Sequence, residues 1–204
     1  MNVRSLPSHA ARGRGRPRSA EYDNSIIEAT LALLAEEGVP GLSMDALAAR
    51  AGVGKATIYR RWSTKDALIV DALARLTEEP VHVSSTGTVR DDLVELAESV
   101  RRKGANSLAS RIMPRLFAAG DNEELHRLYY ERVVRPRRER VAEVLRRGVD
   151  HGELRADLDI EQTIDLLAGP IVYRTFVCSH QGVQLSRSYV ETLVDTVLDG
   201  VRKR

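Results

Sequence analysis

Apolar residues recur at helical spacing along most of this chain. Tyr22, Ile26, Ala29 and Leu33 follow one another at intervals of four, three and four. That is one stripe of an amphipathic helix, and Gly38 is its natural stop. Pro40-Gly41 marks a turn, and Ser43 is placed to cap a second helix that turns Leu47, Ala48 and Ala51 inward and breaks at Gly52. Residues 55–62 predict a third helix, with Ile58 and Trp62 one turn apart on the core side and Val53 plugging the gap before it. Ser63 or Thr64 then caps a segment bearing Leu68, Ile69, Ala72, Leu73 and Leu76.

Residues 80–88 form a Ser/Thr/Gly-bearing break. Beyond it the pattern predicts helices over about 89–102, 108–119, 123–149, 160–178 and 187–202, with Pro114, Pro136 and Pro170 kinking or ending them. No strand alternation and no internal repeat stand out. The expected fold is all-α: an N-terminal three-helix module, then a larger helical C-terminal domain. The divisions expected are a basic arm at 1–20, the module at 21–70 and the C-terminal domain at 71–204.

The most informative stretch is residues 42–62, two short helices joined at Gly52-Val53-Gly54. A tight glycine turn before a helix that opens on basic and hydroxyl side chains is the pattern of a helix-turn-helix. The second helix of that motif lies in the major groove, where its first residues reach base edges. Here those are Lys55, Ala56 and Thr57, with Tyr59 and Arg61 on the groove or backbone side. Lysine donates to guanine acceptors, an alanine methyl touches thymine, and a threonine hydroxyl serves a base or a phosphate. Ser43 and Lys65, each at the start of a flanking helix, are candidate phosphate contacts.

Composition sharpens this reading in one respect. Across 204 residues the net charge is only +2, from 31 basic and 29 acidic residues, so bulk charge says little about nucleic acid. Its distribution says more. Residues 1–20 carry Arg4, Arg12, Arg14, Arg16 and Arg18 with no acid, and residues 46–65 carry Arg50, Lys55, Arg60, Arg61 and Lys65 with no acid. Two such stretches around one helix read as a phosphate-contacting surface. The run Arg14-Gly15-Arg16-Pro17-Arg18 resembles the core of an AT-hook, whose arginines enter a narrow minor groove. A basic tail with only non-specific phosphate attraction is the other reading of it.

Hydrophobic residues at 43% imply a folded chain, and the lone Cys178 suits a reducing compartment. No apolar run reaches the length of a membrane span, so a cytoplasmic protein with no membrane partner is expected. The five histidines are scattered without metal-ligand spacing, so no metal and no cofactor are expected. Gly52-Val53-Gly54-Lys55 lacks the spacing of a phosphate-binding loop, and no nucleophile-base-acid set is evident, so enzymatic activity is not expected. A helical adaptor that binds protein and not DNA is the alternative; it would not need two acid-free basic stretches.

Residues 42–68, with their Gly-Val-Gly-Lys-Ala-Thr-Ile-Tyr-Arg-Arg-Trp-Ser-Thr-Lys-Asp-Ala-Leu core, resemble the DNA-binding module of TetR-family transcriptional repressors. With the preceding helix and its Ala-Glu-Glu-Gly ending, the resemblance covers about residues 21–70. Position by position it places recognition-helix contacts on Lys55, Ala56, Thr57, Tyr59 and Arg61, and a phosphate contact on Lys65. Asp45 stands where some members carry a basic residue, and an acid there repels phosphate.

The resemblance implies a homodimer on a palindromic operator in double-stranded DNA, released by a small molecule in the C-terminal domain. An activator of the same fold is also open. In the family the last two long helices pair with their symmetry mates. The stripes Ile160, Ile164, Leu167 and Ile171, and Val190, Val194, Val197 and Val201, fit that role. An effector pocket among the middle helices would draw its lining from Met113, Leu116, Phe117, His126, Tyr129, Tyr130, Tyr173 and Phe176, with Arg115 and Arg174 as further polar candidates. The helix joining the two domains, residues 63–78, is the natural lever between them.

Overall fold

The computed structural model describes residues 18–77, 87–104, 108–117, 120, 122–178 and 185–202. Helix α1 (Arg18–Gly41) buries Ile26, Ile27, Leu33 and Leu34, and its regular geometry is interrupted at Gly38, where φ is 72°. Only glycine takes that backbone without strain, which is why the chain turns there. Helix α2 (Met44–Ala51) is capped by Ser43, whose Oγ accepts the Ala46 amide at 3.1 Å, and ends at Gly52 with φ 66°. Helix α3 (Lys55–Tyr59) is short, and α4 (Lys65–Thr77) starts where Thr64, not Ser63, accepts the Ala67 amide.

The remaining helices fall where the periodicity puts them: α5 (Val89–Gly104), α6 (Leu108–Phe117), α7 (Glu123–Tyr129), α8 (Arg135–Asp150), α9 (Ile160–Val172) and α10 (Arg187–Val201). What the pattern does not show is that α7 runs into α8 through a π turn, Tyr130–Val134, and that α9 continues as a second, Tyr173–Val177. Pro136 explains the first. It has no amide to offer the Arg132 carbonyl, and widening the turn one residue earlier relieves the clash of its ring. Among the described residues the one extended pairing is an isolated antiparallel bridge between Leu154 and Arg202.

Two cores result. Helices α1 to α4 close with α6 and α7 around Leu34, Leu47, Ile58, Leu68, Leu73, Ile112 and Leu125. Helices α5, α8, α9 and α10 close around Leu93, Val144, Leu145, Ile164, Val194 and Leu198. This corrects one expectation. Ile164, Leu167, Ile171, Val190, Val194 and Val201 are buried within the protomer itself, and Val197 packs half-buried against the same core. Ile160 packs there too. A helical stripe reports that one face is covered, not what covers it.

The second core is tight at Gly148, where an added Cβ would lie 2.8 Å from both Leu154 Cδ1 and Val89 Cγ2. Gly148→Ala gains helix propensity but overpacks this contact, so a net loss of about 1–2 kcal/mol is expected in urea unfolding. An unchanged or raised midpoint contradicts it.

Candidate functional site

Helix α3 is held by two buried side chains, Ile58 and Trp62, and this fixes which residues point away from the protein. Lys55 and Ala56 are exposed, Thr57 is half-buried, and the Tyr59 ring is 49% exposed. These four share one end of the module with Ser43, whose hydroxyl accepts from the helix and keeps its own proton for another acceptor.

Arg61 departs from expectation. Its Nε lies 2.5 Å from Asp23 Oδ1 on α1, so it fastens the turn after α3 to the module. With Ile58 pointing inward, the residue three positions on swings back towards α1 and the residue two positions on swings outward. Arg60 is that outward residue, exposed at the C-cap of α3. The signal was the double arginine; the buried Ile58 decides between them. Lys65 also has partners within the module: its Nζ donates to the Val39 and Leu42 carbonyls at 3.4 and 3.3 Å, closing the turn between α1 and α2. Arg14 and Arg16 lie outside the described residues, and Arg18 is the first residue of α1, its side chain also outside them.

The acid-free stretch of sequence is not acid-free in space. Arg50 holds both oxygens of Glu36 on α1, at 2.5 and 2.7 Å. Lys55 Nζ sits 2.7 Å from Asp45 Oδ1, and the hydrogen bond to that carboxylate raises the ammonium above the usual lysine value. Asp45 thus gives the Lys55 ammonium an anionic partner within the protein. Asp45→Asn is expected to tighten DNA binding about three- to tenfold at low salt and to steepen its salt dependence by about one unit. A titration series in NaCl checks this; weaker binding contradicts it.

At the other end of α3 the Trp62 indole donates to Asp71 Oδ2 on α4 at 3.1 Å. The other oxygen of Asp71 accepts from Arg132 Nη2 at 2.9 Å, and Arg132 lies in the π turn Tyr130–Val134. A second tie joins α4 to the N-cap of α7, where Asn122 Nδ2 donates to the Asp66 carboxylate at 3.3 Å. Arg115 of α6 donates to the Ala35 carbonyl near the end of α1, so it is not available to a pocket.

A cavity of about 640 Å³ opens between α5, α8 and α9 and is bounded by α6, α7 and the π turn. Met113, His126, Tyr129 and Tyr130 line it. So do Ile164, Leu167 and Ile171, the stripe expected at a partner. Leu116 belongs instead to the N-terminal core, and Tyr173 faces outward at 58% exposure. The Phe117 and Phe176 side chains lie outside the described residues. Arg174 stacks over the Tyr189 ring at 4.4 Å and joins α9's π turn to α10. Arg137 and Arg140 of α8 also line the cavity and were not anticipated, because the run 135–140 reads as a solvated charged face. Among the described residues no helix is long and apolar enough to cross a membrane.

Residues 26–72 match the family described as bacterial regulatory proteins, tetR family, and residues 83–197 match the tetracyclin repressor-like C-terminal domain. The chain is 37% identical to the uncharacterized HTH-type transcriptional regulator YdeS of Bacillus subtilis, over 93% of this chain and 94% of that one. It is 33% identical to the DNA-binding transcriptional repressor TetR of Mycobacteroides abscessus, over 91% and 94%. Among solved structures, that of the TetR family transcription regulator SCO0332 is 28% identical with a TM-score of 0.67, covering 90% of this chain and all of that one. Helix-turn-helix, C-terminal helical domain and relatives agree: this chain belongs to the TetR family of transcriptional regulators.

Proposed function

We propose that this protein is a homodimeric repressor that binds a palindromic operator through Lys55, Ala56, Thr57 and Tyr59, and lets go when a small molecule fills the cavity. The observation that carries the reading is a shared element. The π turn Tyr130–Val134 puts Tyr130 and Val134 on the cavity wall and Arg132 on Asp71, which holds Trp62 behind α3. A ligand that shifts the turn therefore acts on the seating of the recognition helix through three side chains. Helix α4, which carries Asp71, is the lever.

The dimer rests on the outer face of α9 and its π turn. Leu166, Tyr173 and Val177 are 53%, 58% and 61% exposed, and the intervals of seven and four place them on one face. This row, and not the inward stripe, is available to a second copy. Two half-sites read by two copies supply the contacts that one short helix cannot. Sedimentation of the Leu166→Glu, Tyr173→Glu double variant is the test, alongside a gel-shift with DNA upstream of the protein's own gene. The variant is expected as a folded monomer; an unchanged dimer overturns the interface, and a parent that ignores the upstream DNA overturns the repressor reading.

A further inference from the structure

The cavity is an apolar space with few polar groups facing it. Its long walls are aliphatic, from Leu93, Leu96, Ile164, Leu167 and Ile171. Several polar side chains on the lining are already engaged within the protein. The Ser99 hydroxyl donates to the Leu96 carbonyl at 2.7 Å. Arg138 is held by Glu161 and Asp165 at 2.5 and 2.6 Å, and Arg137 has an interaction of its own. Among the described residues no aspartate or glutamate lines the space.

Tyr129 stands apart. It is 9% exposed, and what its hydroxyl finds is the Met113 sulfur at 3.8 Å. A thioether is a weak acceptor on a flexible side chain. Burial raises the phenol above the ordinary tyrosine value, against a smaller opposing pull from the Arg137 charge. The hydroxyl therefore keeps its proton at neutral pH and remains a donor. A buried donor facing so weak an acceptor forgoes the energy of a full hydrogen bond. Met113 lines the same cavity, so an entering molecule can displace its sulfur.

A cation entering this space would meet no carboxylate on the described lining, and burying an unpaired charge is costly. The volume of about 640 Å³ suits one organic molecule, most of whose surface would meet apolar side chains. We infer that the cavity takes a mainly apolar, non-cationic molecule whose carbonyl-type oxygen accepts from the Tyr129 hydroxyl. This deepens the proposed function and rests on the cavity being the effector site. Tyr129 is the last residue of α7 and adjoins the π turn that carries Arg132. The bond is thus made at the start of the proposed route to α3.

Two uncharged fluorescent probes share a naphthalene body and differ in the acceptor. One, 6-propionyl-2-(dimethylamino)naphthalene, carries a ketone; the other, N-phenyl-1-naphthylamine, has no oxygen. The full chain is expected to bind both. Tyr129→Phe is expected to bind the ketone about three- to tenfold more weakly and the amine as the parent does. Emission from this ketone moves to longer wavelength when its oxygen accepts a hydrogen bond, so it is expected at shorter wavelength in the variant. Unchanged ketone affinity and emission in a Tyr129→Phe protein that still binds the amine overturns the inference. Two results in the parent alone also overturn it: binding of neither probe, or bound-ketone emission equal to that in dry hydrocarbon. Displacement of the ketone by (1-naphthylmethyl)trimethylammonium overturns the exclusion of cations. If the Tyr129 contact holds but the ketone leaves DNA affinity unchanged, the ligand chemistry stands and release by ligand fails.

Discussion

Replacing Tyr59 by alanine is expected to abolish discrimination between the specific site and unrelated DNA, with folding and oligomeric state intact. The half-exposed ring is the largest side chain that α3 offers to the outside, and it has no role in the core that Ile58 and Trp62 build beneath it. A base-edge contact is worth about 1–3 kcal/mol, and a symmetric dimer loses it twice, so about 2–6 kcal/mol, or some 30- to 10⁴-fold, separates variant from parent. Because tyrosine is neutral, the slope of affinity against salt stays as it was. Lys55→Ala is expected to cost as much specific binding and also to flatten that slope by about one unit per contact. Competition gel-shifts at several salt concentrations read both quantities. Retained discrimination in both variants refutes α3 as the recognition helix.

The contrast between those two residues reflects what a sequence exposes. Residues 42–62 were legible because a helix-turn-helix is built from local rules: Ser43 caps, Gly52 turns left-handed, and Ile58 and Trp62 keep a helical interval. Helices α5 to α10 were legible for the same reason, each having its own apolar stripe and, at α7, α9 and α10, its own capping side chain. Pairings across elements were not. Arg50 with Glu36, Arg61 with Asp23 and Lys65 with two carbonyls of the α1–α2 turn all join segments 14 to 38 positions apart, and each gives a cation a partner within the protein that a running charge count does not foresee. The same limit misassigned Ile164, Leu167 and Ile171. Periodicity identifies a buried face, but only the arrangement of α5, α8 and α9 shows that this face walls a cavity while Leu166 and Tyr173, on the other side of the helix, remain uncovered. The π turn at Tyr130–Val134 escaped because its cause, a proline that ends one hydrogen-bond ladder, reads equally well as a kink or a stop.

Asp71→Ala is expected to weaken the fold and to disconnect its two ends. The carboxylate is mostly enclosed and serves three donors from three elements: the Trp62 indole at 3.1 Å, Arg132 at 2.9 Å and, one helical turn along, Arg75 at 3.4 Å. Arg75 and Arg132 are exposed enough for water to replace their partner, so the arginine pairs contribute little by themselves. Trp62 is buried, and its N–H loses an acceptor that water cannot readily supply. That puts the loss at about 1–3 kcal/mol in urea unfolding, while Asp71→Asn, which still accepts from the indole, falls nearer the parent. The larger effect is on communication. Coupling between two sites is reciprocal, so DNA bound at α3 must weaken a small molecule in the cavity by the factor with which that molecule weakens DNA, typically 5- to 150-fold. In the parent, upstream DNA is expected to lower the affinity for a fluorescent naphthalene probe of the cavity at least fivefold. In Asp71→Ala both bind, and each is indifferent to the other. Coupling that survives the substitution would place the route elsewhere, with the Asn122–Asp66 tie between α7 and α4 as the next to cut.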